Sequence, residues 1–236
     1  MEQIKKIAVA EKLNISEKSM TTIAKNSSGC MRDAVSLLDQ IYSFEGNNIT
    51  QEGILFVLGT ANLLESSRKC KSVKSVLCIT TDKVYKNNEW LWKYREIDEL
   101  GGESDPYSAS KAAAELVAAS YREAFFSVSE LGKHGVGIAT ARAGNVIGGG
   151  DWAKDRIVPD MVRSCLDNRP VTIRNPHAVR PWQHVLEPLH GYLRIAALLL
   201  ERHASAASAW NFGPANEGLR TVGDLVSLFH KLWGAG

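Results

Sequence analysis

The sequence predicts an α/β protein, alternating strands and helices preceded by a small all-α bundle. Three observations predict it. Up to about Thr60, apolar residues recur at helical spacing; beyond it, short apolar runs alternate with helical patterns; and those runs end in polar clusters of the kind that line a ligand site. The expected segments are therefore 1–60 and 61–236.

In the first segment, Ile4, Ile7, Ala8 and Leu13 share a helical period, and Ser16 is placed to cap a second helix running to Ile23. Met31, Ala34, Leu37, Leu38 and Ile41 fall on one face of a third helix. Gly46-Asn47-Asn48 breaks the chain, and Thr50 is an N-cap candidate for a helix over Gln51 to Leu58. The segment reads as helical throughout.

After Thr60 the spacing predicts a helix from Asn62 to Lys71, a strand from Val73 to Ile79, a helix from Tyr107 to Phe126 and a strand from Gly135 to Ala141. Helices over Ile157 to Leu166, Leu186 to Arg202 and Thr221 to Leu232 follow, with strands at Val171-Thr172-Ile173 and at Ala209 to Phe212. Trp90 to Glu96 has no clear period and reads as a surface loop whose aromatics either stack on a base or sugar or cover the sheet edge.

Composition narrows the function classes. With 44% hydrophobic and 23% charged residues the 236-residue chain is ordinary for a globular protein, and a net charge of +2 supplies no argument for a nucleic-acid or membrane partner. The 4 cysteines (Cys30, Cys70, Cys78, Cys165) show no C-x-x-C spacing, so neither disulfides nor a metal site is expected, and they read as reduced cytoplasmic thiols. No apolar signal core follows Met1, and Leu186 to Leu200 is interrupted by Glu187, His190 and Arg194, so neither secretion nor a membrane span is expected.

The chemistry gathers at Thr80-Thr81-Asp82-Lys83 and at Tyr107-Ser108-Ala109-Ser110-Lys111. The first ends an apolar run, and in open α/β sheets ligands bind at the carboxyl ends of strands. In the second, a tyrosine and a lysine four positions apart share one helix face, about 5–6 Å between Cβ atoms. A neighbouring ammonium favours phenolate, typically lowering such a pKa by about 1–3 units, which makes Tyr107 a candidate general base tuned by Lys111. Y-x-x-x-K also arises readily by chance in a chain with 6 tyrosines; the strand end beside it is what adds weight. Further on, Gly148-Gly149-Gly150 forms a glycine-rich turn that matches neither phosphate-cradle pattern, and Arg180 before the long helix suits either a diphosphate or plain solvent.

The run Ser28-Gly29-Cys30-Met31-Arg32-Asp33-Ala34-Val35-Ser36-Leu37-Leu38-Asp39-Gln40 resembles the lid of the bacterial clamp-loader gamma/tau subunits of DNA polymerase III, an AAA+ family, with Cys30 in place of the usual serine. The resemblance implies that Arg32 corresponds to the arginine that reaches nucleotide phosphates; an arginine that merely packs or is solvated is the equal alternative, since no G-x-x-x-x-G-K-[ST] loop is present.

From about Gly59 onward, Thr80-Thr81-Asp82-Lys83-Val84-Tyr85, Tyr94-Arg95-Glu96, Asp105-Pro106-Tyr107-Ser108-Ala109-Ser110-Lys111, Arg142-Ala143-Gly144-Asn145-Val146-Ile147 and Arg180-Pro181-Trp182-Gln183-His184 resemble the nucleotide-sugar 4,6-dehydratases of the extended short-chain dehydrogenase/reductase superfamily. Lys83 after the aspartate resembles the CDP-glucose branch, where the dTDP-glucose branch has glutamate. The resemblance implies a partial doubly wound, Rossmann-like sheet lacking its first strands, NAD as cofactor and CDP-glucose as substrate. It further implies catalytic roles for Thr81, Asp82, Lys83, Tyr107 and Lys111, cofactor contacts at Thr80, Tyr107, Lys111 and Ala143, and diphosphate contacts at Asn145, Arg156 and Arg180. The G-x-x-G-x-x-G turn that seats the NAD pyrophosphate in that superfamily does not occur in the sequence. The expectation is an inactive fragment that dimerises or aggregates through an unpaired strand edge and has no nucleic-acid or membrane partner.

Overall fold

A computed structural model describes residues 2–27, 31, 34–35, 38, 41–42, 47–49, 51–88, 90, 92–101, 105–153, 155–215 and 219–234. Two compact units emerge: residues 1–142 with 192–211, and residues 143–191 with 212–236.

In the first unit, helices α1 (Glu2–Ala10) and α2 (Glu17–Asn26) precede a long helix α3 (Gln51–Lys69). Ser16 caps α2 as expected, its hydroxyl accepting from Ser19 N at 3.1 Å. Ile4, Met20, Ile23, Ala34, Leu38, Ile41, Ile49, Ile54 and Leu58 make one buried cluster. Two details differ from the reading of an all-helical segment. Leu13 lies beyond α1, and the chain there forms a short parallel pair, β1 (Asn14–Ile15) with β2 (Asn48–Ile49), in which Ile49 is buried. Met31 is 39% exposed and is not part of the buried face. Arg32, Leu37 and Thr50 lie outside the described residues.

The seam expected near Thr60 falls inside α3, which runs unbroken from Gln51 to Lys69 where two helices were expected. Its first half supplies Ile54 and Leu58 to the helical cluster, and its second half supplies Leu64 to a separate cluster with Val76, Ala118, Phe126, Val136 and Ile138. Gly59 does not break it, since a lone glycine in a helix costs only about 1 kcal/mol relative to alanine.

The sheet carries β3 (Ser75–Thr81), β4 (Gly137–Ala143) and β8 (Ala209–Phe212) in the order β3-β4-β8, as a parallel sheet. Every residue of the middle strand β4 is buried, as a strand covered on both faces requires. One face receives helix α4 (Pro106–Ala124), which packs along α3; Ala109, Ala112, Ala113 and Ala118 let it lie close. Alternation turns Gly137 to the opposite face, where a Cβ would meet Leu199 Cδ2 at 2.6 Å. Leu199 belongs to α7 (Leu186–Leu200), whose second half thus covers that face. A turn α5 (Leu131–His134) precedes β4.

The aromatic loop folds down onto the sheet edge. Tyr94 stacks on Tyr85 with centroids 5.0 Å apart, Trp90 tilts against Tyr94 at 5.4 Å, and Tyr94 O accepts from Asn211 Nδ2 at 3.0 Å. A bridge between Tyr85 and Leu100 closes the loop, with Gly101 N donating to Val84 O at 2.8 Å. A Cβ at Gly101 would lie 2.6 Å from Lys86 Cα, against backbone that cannot swing away. Gly101→Ala should therefore destabilise the unit by about 1–3 kcal/mol, at roughly 2–4 °C of Tm per kcal/mol. Gly59→Ala, where nothing lies within 4 Å, should instead stabilise by about 0.5–1 kcal/mol. Paired thermal melts decide: equal Tm changes would refute this account of the loop.

The second unit holds the parallel pair β5 (Val146–Ile147) and β7 (Gln183–His184), the antiparallel pair β6 (Val179–Pro181) and β9 (Leu219–Thr221), and helices α6 (Ile157–Leu166) and α8 (Val222–Trp233). Val171-Thr172-Ile173, expected as a strand, is irregular; the strand forms at Val179–Pro181 instead, where β9 offers a partner.

Candidate active site

Strand β3 passes directly from Thr81 into a 3-10 turn, Asp82–Val84. Thr81 caps that turn, its hydroxyl donating to Asp82 Oδ1 at 3.0 Å and accepting from Lys83 N at 3.4 Å. Facing it, α4 begins at a well-formed cap: Asp105 accepts from Ser108 N at 2.9 Å and from the Ser108 hydroxyl at 2.8 Å, with Pro106 in the first turn. The cap fixes where Tyr107 stands.

Tyr107 is 52% exposed, and two cations flank its ring: Lys83 Nζ at 5.9 Å and Lys111 Nζ at 5.8 Å from the centroid. Lys111 also donates to Ile79 O at 3.4 Å, tying helix to strand. Burial pulls the Lys111 ammonium below its ordinary value. Asp82 keeps an open surface, yet the protein packed beneath its carboxyl raises it above its ordinary value, against the pull of the Thr81 hydroxyl and of Lys83. Five of the expected residues, Thr81, Asp82, Lys83, Tyr107 and Lys111, thus belong to one strand end and the helix start beside it. Such an arrangement suits proton transfer: a phenol near two ammonium groups, and a carboxyl biased toward its acid form.

Thr80 behaves differently from Thr81 because neighbouring strand residues face opposite sides. Its hydroxyl donates to Glu115 Oε1 and lies 3.3 Å from Ala141 O, inside the sheet-helix interface. There Glu115, 3% exposed, also accepts from Thr140 Oγ1 at 2.7 Å and from Arg142 Nη2 at 2.9 Å. Arg142 Nη1 donates to Tyr85 OH at 2.8 Å and to Glu96 O at 3.0 Å, and Tyr85 OH donates to Asn211 Oδ1 at 2.7 Å. Burial opposes the charge on Arg142, but hydrogen bonding to Glu115 and its charge outweigh that and hold the guanidinium above its ordinary value. Burial, with Glu115 nearby, pushes the Cys78 thiol up to about 11, so it is inert at neutral pH.

Sequence reasoning missed this network. Its signal was present: Glu115 extends the Tyr107-Lys111 stripe by one more turn, and Thr140 and Arg142 interrupt an apolar strand at period two.

The remaining expected residues lie in the second unit. Ala143 is buried at the end of β4, Asn145 O accepts from Gln183 N at 3.0 Å, Arg156 pairs with Asp151 at 3.3 Å, and Arg180 is exposed in β6. Arg32 is outside the described residues.

A model of the NAD dependent epimerase/dehydratase family matches residues 12–211. The chain belongs to that family. Within it, CDP-glucose 4,6-dehydratase of Salmonella typhimurium is 52% identical over 178 residues, which is 75% of this chain and 49% of that protein. The chain spans about half the length of this epimerase/dehydratase relative. Outside the family, DNA polymerase III subunit tau of Bacillus subtilis is 39% identical over 71 residues, 30% of this chain and 13% of that subunit. Among solved structures, dTDP-glucose 4,6-dehydratase from Bacillus anthracis in complex with NAD superposes with a TM-score of 0.62 at 24% identity, over 80% of this chain and 56% of that one. UDP-glucuronic acid 4-epimerase from Bacillus cereus gives a TM-score of 0.62 at 19% identity, over 77% and 52%. Both likenesses concern the fold.

Proposed function

We propose that residues 61–236 carry the catalytic part of an NAD-dependent nucleotide-sugar 4,6-dehydratase acting on CDP-glucose, and that residues 1–60 form a separate segment of clamp-loader-lid type. The observation that carries the first reading is the Tyr107 ring between Lys83 and Lys111 beside Thr81 and Asp82, in a stretch 52% identical to a CDP-glucose 4,6-dehydratase. For the second, the likeness to subunit tau favours a helical interaction module.

In this reading Tyr107 takes the proton of the sugar 4-hydroxyl, which Thr81 holds by a hydrogen bond, and the two ammonium groups stabilise the negative charge that develops on the phenol. Lys83 assists removal of the C5 proton, which a ketone at C4 acidifies. Asp82 gives its proton to the departing 6-hydroxyl, a role that its raised carboxyl favours. The chemistry that bound NAD would supply is hydride removal at C4 and return at C6. The donor set of Tyr107 and Lys111 suits the nicotinamide ribose, and the family resemblance assigns Thr80 and Ala143 to the cofactor as well. The pyrophosphate is a different matter. No G-x-x-G-x-x-G occurs in the sequence, and the Gly148-Gly149-Gly150 turn is separated from α6 by residues 151–156, so it opens no helix N-terminus.

The test is a chimera in which residues 61–236 follow the amino-terminal part of the Salmonella enzyme. It should convert CDP-glucose to a product with the alkaline absorbance of a 4-keto sugar; a folded, NAD-loaded chimera that forms none would overturn the assignment.

No helix among the described residues is long and apolar enough to cross a membrane. A cytoplasmic location belongs to the same proposal and draws on the scattered thiols, and so does self-association without nucleic-acid or membrane partners. Among the described residues strand β3 is outermost in its sheet, and Ile79 on it is 43% exposed. An open edge of this kind invites pairing. Light scattering should show dimers or larger species, whereas a sharp monomer peak with a cooperative melt would count against it.

A further inference from the structure

A cleft of about 410 Å³ opens at the amino ends of β3 and β4, where Arg68, Lys71, Val73, Lys74, Phe126 and Val136 line it. Strand β3 is 7 residues long, so the cleft stands about 20 Å from the Thr81 end of the sheet and shares no residue with the candidate active site. Val73, Phe126 and Val136 belong to the cluster beneath the sheet and give the cleft an apolar floor. His134 closes one side with its ring edge on Phe126; its Nδ1 accepts from Val136 N at 3.2 Å, so the ring proton sits on Nε2, 2.9 Å from Ser127 O.

The rim is cationic. Arg68 is committed, with its guanidinium 3.9 Å over the Phe125 ring and paired with Glu65 at 2.7 Å, and Glu65 also takes Lys69 at 3.3 Å. Lys71, Lys74 and Arg202 make no ion pair among the described residues. Two left-handed residues bring two of these together: Gly135 (φ +69) ends α5, and Arg202 (φ 62) follows α7, where glycine is the usual occupant. A Cβ built on Gly135 would lie 3.6 Å from Arg202 Nη2 and 3.9 Å from Lys74 Nζ, so a guanidinium and an ammonium flank one point between the lining residues His134 and Val136. Like charges held this close repel, and an anion between them removes that cost.

We infer that the cleft is a binding site for a small organic phosphate, its phosphate held by Lys74 and Arg202 with Lys71 beside them, and its apolar body against Val73, Phe126 and Val136. A phosphate dianion matches two cations where a single carboxylate neutralises one, and the planar fork of Arg202 suits bidentate bonds to its oxygens. Every residue involved belongs to the first unit, so the site stands independently of the nucleotide-sugar reading.

Cys70 lines the same cleft and reports its occupancy. It is exposed, with Sγ 3.1 Å from Ser72 Oγ, and hydrogen bonds from the Ser72 hydroxyl and from the Ser72 and Val73 backbone hold the thiol below its ordinary value, so it alkylates readily. The experiment treats the full chain with iodoacetamide and follows the Cys70 peptide by mass spectrometry, with and without phenyl phosphate. The ester should slow alkylation saturably, about tenfold when it stands at ten times its Kd. Lys74→Gln and Arg202→Gln, both at exposed positions, should each raise that Kd about tenfold to a hundredfold. Lys133→Gln, an equal loss of charge at a lysine outside the cleft, should leave it unchanged. Inorganic phosphate, which has no apolar body to place on the floor, should need about tenfold more for the same protection. A Cys70 that phenyl phosphate does not protect, or the same Kd in wild type and Arg202→Gln, would overturn the site. Equal protection by inorganic phosphate would overturn the assignment to an organic phosphate.

Discussion

Incubated with CDP-glucose and excess NAD, the 236-residue chain by itself is expected to bind NAD more weakly than millimolar and to form no 4-keto-6-deoxy sugar. In the proposed reading Tyr107 and Lys111 hold the nicotinamide ribose, whereas the sequence has no G-x-x-G-x-x-G turn to donate to the pyrophosphate. Each charge-assisted hydrogen bond lost is worth about 1.5–3 kcal/mol, and about 1.4 kcal/mol is a factor of ten, so two or three such losses carry a micromolar site past millimolar. In the chimera that restores the seat, Tyr107→Phe should lower turnover by about a hundredfold to ten-thousandfold, the range for a positioned general base. Product from the unmodified chain, abolished by Tyr107→Phe, would show that its own residues or a second copy supply the seat.

The second large effect is structural. Arg142→Ala is expected to destabilise the first unit by about 3–5 kcal/mol, on the order of ten degrees in Tm, because Glu115 would be left as an uncompensated buried charge. Tyr85 OH and Glu96 O would lose their donor in the same step. The double variant Arg142→Met with Glu115→Leu should recover much of that loss, since replacing a buried pair with apolar groups is often close to neutral. Chemical denaturation of the two variants measures both. A loss below about 1 kcal/mol in Arg142→Ala would mean that water already satisfies Glu115 and that the pair does not hold α4 to the sheet.

The sequence by itself determined whatever depends on neighbours along the chain. A helix cap such as Ser16, the Tyr107-Lys111 stripe and the polar end of β3 follow from residues within a few positions of one another, and a strand or helix period is visible without knowing its partner. The expected segments at Val73 to Ile79 and Gly135 to Ala141 became strands within two residues of those bounds.

Tertiary structure decided what depends on residues far apart. That α3 crosses the expected seam follows from two separate clusters burying its two halves. Val171-Thr172-Ile173 reads as a strand yet found no partner, whereas Val179–Pro181, split by a proline from the next apolar run, pairs with a segment 40 residues on. The committed hydroxyl of Thr80 depends on Glu115, 35 positions away, and the junction of Tyr85 with Asn211 spans 126. Arg180 stands opposite Arg220 in the β6–β9 pair through register alone. A one-residue slip would change which residues share a face, and only the pairing of distant strands sets that register.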